Sequence, residues 1–354
     1  MKLALITDTH WGVRNDNIAF MDNTKRFLDA TFFPTLDREG IKTVVHLGDL
    51  VDRRKYINVR TASRLRQDFL EPLANGGYDV HLIAGNHDTY FKNTNTVNAL
   101  RELVVGKYDF KVHDQLPMGW TFNGTNVLML PWICDENREA SLHAIRTTSA
   151  QIVMGHLELQ GFEMFRGSIV SHGDDPSLFD RFDTVMSGHY HHRSSRGNIH
   201  YLGSHAEFTW SDYSDPRGFH IFDTETRNLT FVENPYRMFK KVWYNDADST
   251  FLNSEIDYAQ YKNCMLKVII QEKTNLFWFD KFIENLESES PLDIQIVEDH
   301  LNLNLEEDSD IVNEAESTID IFKKYISGFD EKTVNKEKLE KKIVELYNEA
   351  LTVE

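Results

Sequence analysis

The chain reads as an α/β protein: a two-sheet β-sandwich flanked by helices, followed by a small α+β capping domain and a C-terminal helical hairpin. Three observations predict this. Five short apolar runs, at residues 3–6, 44–47, 80–84, 152–154 and 185–186, each lead directly into a polar block. Continuous apolar runs of that length suit strands buried on both faces, and helical periodicity separates the first of them. From residue 183 to 232 the spacing shortens to successive strands at 199–202, 219–222 and 229–232, which predicts a second sheet packed on the first.

After the first strand, residues 20–36 offer a helix carrying Phe27, Leu28, Thr31 and Phe32, and residues 58–73 offer another with Leu65, Phe69 and Leu73 inward. Strand, loop, helix, strand is the order of a layered α/β sheet. The stripe Val97, Leu100, Leu103, Val104 reads as core. Near Pro235 the pattern changes, and strands at 242–244, 265–270 and 292–297 with a helix near 279–286 make a β-β-α-β unit. The polar, acidic stretch 301–310 reads as a linker. Two amphipathic helices follow, one with Val312, Ala315, Ile319, Phe322 and Ile326 on one face, ending at Gly328. The other carries Leu339, Ile343, Leu346 and Ala350. The expected organisation is a main domain at 1–236, a capping domain at 237–300, the linker at 301–310 and a helical tail at 311–354. Such a hairpin either packs on its own domain or presents its apolar stripe to another protein.

The polar blocks carry the chemistry. In order they are Asp8-Thr9-His10; Gly48-Asp49-Leu50-Val51-Asp52; Gly85-Asn86-His87-Asp88; Gly155-His156; and Gly188-His189-Tyr190-His191. Ligands in parallel sheets gather just beyond the carboxyl ends of the strands, so the five blocks are expected at one edge. Glycine ahead of the ligand in four of them permits a tight turn and close backbone approach. Asp8, His10, Asp49, Asn86, His156, His189 and His191 all offer oxygen or imidazole donors, enough for two divalent ions, the equipment for phosphate-ester hydrolysis. Asp8 and Asp49 are the only carboxylates in that set, and a carboxylate can bridge two cations. Neutral imidazole and amide ligands leave positive charge to lower the pKa of a bridging water. The absence of thiolates counts against soft-metal and zinc-finger readings, and the mixture of imidazole, carboxylate and amide suits Mn²⁺, with Mg²⁺, iron or zinc as alternatives.

At these residues the sequence resembles the calcineurin-like metallophosphoesterases. Within that fold it is similar to the SbcD-type nucleases of double-strand-break repair, including the recombination endonuclease subunits of tailed phages. The stretches at 130–137, 155–162, 215–219 and 222–226 strengthen the likeness, which is strong to Glu233 and looser beyond. The resemblance implies one metal on Asp8, His10 and His191 and another on Asn86, His156 and His189, with Asp49 bridging. It implies that His87 acts as a general acid or stabilises the transition state, with Asp52 orienting it. Arg53, at the head of the basic triplet Arg53-Arg54-Lys55, would meet phosphates; a solvated face is the alternative for all three. The capping domain would bind DNA, with Arg237, Lys240, Lys241, Lys262, Lys267 and Lys273 as its basic residues. The tail, through Ile319, Phe322, Ile326, Leu339, Ile343 and Leu346, would grip the coiled coil of an SbcC-type ABC ATPase. The stripe at 97–104 and the helix at 58–73 would form a homodimer contact within a heterotetramer.

Composition bounds the remaining choices. At 354 residues the chain exceeds one typical domain, and Cys134 and Cys264 are too few and too far apart for a disulfide scaffold or a thiolate metal site. The first apolar run is too short for a secretory signal and none approaches a membrane span, so a cytoplasmic setting is expected, that of the host if the chain is phage-encoded. The net charge of −18 argues against simple duplex affinity. Thirteen acidic residues and no lysine or arginine lie between Phe282 and Phe322, however, so most of the excess belongs to that stretch. DNA would then be held partly by a partner.

Three functions are consistent with these readings. The first is a Mn²⁺-dependent DNA exonuclease and endonuclease working with the ATPase in end processing, recombination and repair. The second is a phosphoesterase on a nucleotide or phosphoprotein, disfavoured by Gly-Asn-His-Asp where protein phosphatases carry glutamate. The third is a non-catalytic scaffold that binds partners through its tail.

Overall fold

A computed structural model describes residues 1–248, 251 and 256–298. The linker and helical tail expected from residue 301 onward lie outside the described residues, together with the partner contacts expected there.

The chain runs through β1 (Lys2–Ile6), β2 (Thr43–His46), β3 (Asp79–Ile83), β4 (Lys111–His113), β5 (Met118–Phe122) and β6 (Thr125–Leu130). It continues through β7 (Ile152–His156), β8 (Glu163–Phe165), β9 (Ser168–Ile169), β10 (Thr184–Gly188), β11 (Ser194–Arg196) and β12 (Ile199–Tyr201). Then come β13 (Gly218–Asp223), β14 (Leu229–Glu233), β15 (Phe239–Asn245), β16 (Met265–Glu272) and β17 (Asp293–Glu298). One six-stranded sheet has the order β14-β13-β1-β2-β3-β4, and a second has β11-β12-β10-β7-β6-β5. The expected two-sheet α/β sandwich is present.

Side-chain alternation explains the layers. Leu3 and Leu5 of β1, Val45 of β2 and Ile83 of β3 meet Val127, Met129, Ile152, Met154 and Met186 of the other sheet. The alternate positions Ala4, Ile6, Val44, Val80 and Leu82 face the helices, packing on Phe27, Phe32, Leu65, Phe69 and Leu73. Both faces are therefore apolar, which is why these strands read as unbroken runs.

The helix Ile18–Phe27 continues through a π-turn at Leu28–Phe32 into Phe33–Glu39, and Val59–Leu65 continues through Arg66–Leu70 into Glu71–Asn75. Each π-turn ends two residues before a proline, Pro34 or Pro72. Widening the ladder there accommodates a residue that has no N–H to donate.

The β-β-α-β unit forms as expected, with β15, β16 and β17 all parallel and the helix Leu276–Ser288 packed on them. Tyr244, Leu266, Val268, Phe279, Phe282 and Leu286 fill its core. The expected boundary at residue 236 is not a gap, because Met238 and Phe239 share a cluster with Phe20, Ala206 and Phe208 of the main domain.

Candidate metal centre

β1, β2 and β3 run parallel, as do β7 and β10, so all five polar blocks leave carboxyl ends of strands. Hydrogen bonds stitch the blocks together. Asp8 N–H donates to the Gly48 carbonyl at 3.0 Å and His10 N–H to that of Asp49 at 3.1 Å. Across the sandwich, His156 Nδ1 donates to the Leu47 carbonyl at 2.8 Å, so Nε2 is the ring atom turned toward Asn86 and Asp49. Asp8, His10, Asp49 and His189 all have left-handed backbones, with φ of 51°, 42°, 55° and 93°. Each such conformation costs about 1–3 kcal/mol in a non-glycine residue, so the surrounding structure holds these four against their preference.

Two donor groups result. Asp8, His10 and His191 form the first, with His10 Nε2 3.0 Å from His191 Nε2 and 3.9 Å from Asp8 Oδ1. In the second, Asn86 Oδ1 is 3.0 Å from His156 Nε2 and 2.9 Å from His189 Nδ1. Asp49 Oδ2 lies between them, 3.3 Å from His156 Nε2 and 3.6 Å from His10 Nε2.

The donor chemistry fits divalent cations. Asp8 and Asp49 are at most 1% exposed, yet among the described residues neither is paired with a lysine or arginine. Burial opposes charge on His156, but Asp49 and then Asp8 draw its pKa up to about 9. Burial, and then His10, push the His191 imidazole well below its ordinary value, so its lone pair is available. Buried carboxylates and imidazole nitrogens gathered within 4.8 Å of one another in each group are a set whose charge a cation would complete.

His87 sits beside this centre, its ring edge-on to that of His10 at 4.8 Å and its N–H donating to Asp49 Oδ1 at 2.8 Å. Asp52, expected to orient His87, reaches it through the main chain. His87 Nδ1 donates to the Asp52 backbone carbonyl, and the Asp52 carboxylate instead lies 3.5 Å from His10 Nδ1. Asp52 thus faces both rings, one through its main chain and one through its side chain. Burial, the largest influence, lowers the His87 pKa.

The basic triplet divides. Arg53 is bound to Asp16 at 2.8 Å and to the Asn15 side chain, and lies over the Tyr56 ring, so it braces a loop. Arg54 is half-buried and Lys55 is exposed. Tyr90 and Phe91 are also exposed, packed edge-on to each other at 4.7 Å.

Four residues to which the sequence assigned no role support the centre. The buried Asp88 carboxylate accepts the N–H groups of Gly85, Asp49 and Leu50 at 2.9 Å each and of Val51 at 3.2 Å. It thereby ties the second block to the third, and burial followed by Asp49 raises its carboxyl to about 7. His46 bridges Thr9 Oγ1 at 2.9 Å and Gly48 N–H at 3.2 Å. The Trp132 ring packs 5.2 Å from that of His189, and Glu158 lies 3.9 Å from His189 Nε2, on the side away from Asn86. Asp88 was visible as the last letter of its block, and Trp132 and Glu158 lie in the stretches 130–137 and 155–162 that carry the family likeness; His46 had no such signal.

Residues 1–193 match the family model of the calcineurin-like phosphoesterases. The chain belongs to that family. Among its relatives, Exonuclease subunit 1 of Enterobacteria phage T4 is 33% identical over 291 residues, covering 81% of this chain and 82% of that protein. The SbcD subunit of the nuclease SbcCD from Staphylococcus saprophyticus is 23% identical over 292 residues, covering 73% of this chain and 76% of that one. Its counterpart of the same name from Staphylococcus epidermidis is 31% identical over 157 residues, or 41% and 38% of the two chains. Membership in the calcineurin-like phosphoesterases implies divalent metal ions, and the described residues include side-chain groups that could hold them. No helix of the described residues is long and apolar enough to cross a membrane.

Proposed function

We propose that the chain is a metal-dependent DNA nuclease, acting as exonuclease and endonuclease with Mn²⁺ as its metal and an SbcC-type coiled-coil ATPase as its partner. The observation that carries this reading is the convergence of seven donors with His87 beside them, in a chain similar to a phage exonuclease subunit over most of its length. In the site so read, Asp8, His10 and His191 would hold one cation, Asn86, His156 and His189 a second, and Asp49 would be shared. Bound there, two divalent cations supply a water activated for attack and positive charge against the phosphate oxygens.

The protein's own groups do the rest. A carbonyl can only accept, so the Asp52 main chain fixes a proton on His87 Nδ1 and leaves Nε2 as the atom that exchanges a proton. Protonated at Nε2, the ring can deliver a proton to the departing oxygen or stabilise the charge that builds in the transition state. Asp88 keeps Asp49 and Asn86 in register while remaining out of reach of substrate, at 1% exposure. The partner assignment is supported by relatives that are named as subunits, and the DNA substrate by their names as nucleases.

The test is incubation of the full chain, alone and with a coiled-coil ATPase, with Mn²⁺ and end-labelled single- or double-stranded DNA beside a small phosphodiester. Cleavage of DNA that disappears with chelator is expected. Turnover of the small ester with no cleavage of DNA under any partner condition would replace this reading with a nucleotide or phosphoprotein phosphoesterase. Truncation at Asp310 should abolish ATPase binding and spare turnover of the small ester.

A further inference from the structure

Arg217 is 2% exposed and heads the fully buried side chains by volume among the described residues. Burying a guanidinium is costly unless its N–H groups are met, and here both terminal nitrogens are met by groups leading back to the candidate centre. Nη2 reaches Asp212 Oδ1 at 2.7 Å and Asp215 Oδ2 at 2.8 Å. Nη1 donates to Ser204 Oγ at 3.0 Å and to the His191 carbonyl, while Nε has no hydrogen-bond partner.

The two aspartates extend the grip. Asp215 Oδ2 lies 2.8 Å from His192 Nδ1, so the network holds the residue next to His191 as well as its carbonyl. That carbonyl also accepts the Ser204 N–H at 3.0 Å. Asp212 Oδ2 accepts the N–H groups of Phe208 at 2.7 Å and Thr209 at 3.0 Å. The Phe208 ring in turn stands edge-on to both His10 and His191, at 5.7 Å from each. One guanidinium thus fixes the main chain behind one imidazole and the ring that flanks two. The hydrogen bonds of Asn86, His156 and His189 to one another and to Leu47 run outside this network.

We propose that Arg217 is a positioning residue for one half of the centre: through the His191 carbonyl and Phe208 it aims the His10 and His191 imidazoles at a single cation. The inference rests on reading the seven donors as a cation centre. It assigns unequal dependence to the two donor groups, which that reading alone does not.

The test uses the full chain titrated with Mn²⁺ by calorimetry and followed by low-temperature electron paramagnetic resonance. Wild type should take up two ions and show the spectrum of a coupled pair. Arg217→Met should weaken one binding step about 10- to 100-fold, the usual effect of losing a group that orients a ligand, with the other step changed less than about threefold. The weakened step should be the one lost in Asp8→Asn, and near one equivalent of Mn²⁺ the six-line spectrum of an isolated ion should replace the coupled one. Arg217→Lys, a point charge unable to span both aspartates and the carbonyl, should restore only part of the loss. Asp215→Asn keeps Arg217 and Asp212 in place and should weaken the same step by a smaller factor, and it decides the matter if Arg217→Met does not fold. Equal weakening of both steps, or no weakening of either in a folded variant, overturns the proposal. Uptake of fewer than two ions by wild type overturns the cation-centre reading itself, and the proposal with it.

Discussion

Gly85→Ala puts the smallest extra group at the tightest point of the centre. A Cβ there would stand 2.2 Å from Asp49 Oδ1 and 2.3 Å from the Asp49 nitrogen, where ordinary contact begins near 3.4 Å. Neither atom is free to retreat. Oδ1 accepts the His87 N–H at 2.8 Å, and the Asp49 N–H is held by Asp88 Oδ2 at 2.9 Å, which also holds Gly85. Relief therefore requires a shift of about 1 Å in the carboxylate that both donor groups share, and a misplacement of that size costs on the order of 100-fold in rate. Overpacking adds a stability loss of about 1–3 kcal/mol. The assay is Mn²⁺-dependent hydrolysis of bis-p-nitrophenyl phosphate with a parallel Mn²⁺ titration. Gly119→Ala is the control, since nothing lies within 4 Å of its Cβ. If Gly85→Ala keeps kcat and Mn²⁺ affinity at the Gly119→Ala level, the close approach of Gly85 to Asp49 does not matter and the reasoning fails.

Other consequences are as specific. His87→Asn should lower phosphodiester turnover by about 10²- to 10⁴-fold while both Mn²⁺ ions still bind; full turnover with both ions present would remove His87 from the chemistry. Burial raises the Glu207 carboxyl from 4.5 to about 7, so the folded chain keeps a proton that the unfolded chain releases. Stability should therefore fall as pH rises from 4.5 to 7, by about 3 kcal/mol for this group. Glu207→Gln preserves an acceptor for the Met238 and Phe239 N–H groups, and its urea unfolding at pH 5 and pH 8 should differ less than wild type's by that amount. An unchanged difference would acquit Glu207. Lys55 is exposed and Arg53 is engaged by Asp16, so Lys55→Ala should reduce the salt slope of DNA binding by about one and Arg53→Ala should leave it unchanged. The opposite ranking would return Arg53 to the phosphate-binding role.

The positions of the ligand blocks were legible because β1, β2, β3, β7 and β10 are buried on both faces and announce their ends by a change from apolar to polar residues. What the sequence did not disclose depends on partners distant in the chain. Asp88 looks like a third polar letter in its block, yet its work is to accept four main-chain N–H groups. Arg217 lies in a stretch that stands out only for its likeness to phage proteins, and its contacts reach back to His191 and Ser204. Asp52 was expected to orient His87 from the family resemblance, and the contact runs through its backbone carbonyl, which residue letters do not reveal. The helices at 20–36 and 58–73 read as continuous, and the π-turns before Pro34 and Pro72 are invisible to a 3.6-residue periodicity. The apolar stripe of residues 97–104 packs as core at Leu100 and Val104, with Leu103 partly buried against them, but Val97, ahead of the helix Ala99–Leu103, is 45% exposed. His46, read as ordinary, is buried between the first two ligand blocks.

The proposed function requires the Asp49 carboxylate to join two cation sites at a centre that hydrolyses DNA. Release of labelled nucleotide from DNA by wild type and Asp49→Asn, at saturating Mn²⁺ and in chelator, decides this. Wild type should cleave with Mn²⁺ alone, and folded Asp49→Asn should lose that cleavage. Cleavage that survives the chelator, or that Asp49→Asn retains at the wild-type rate, would contradict a shared carboxylate at a metal-dependent nuclease centre.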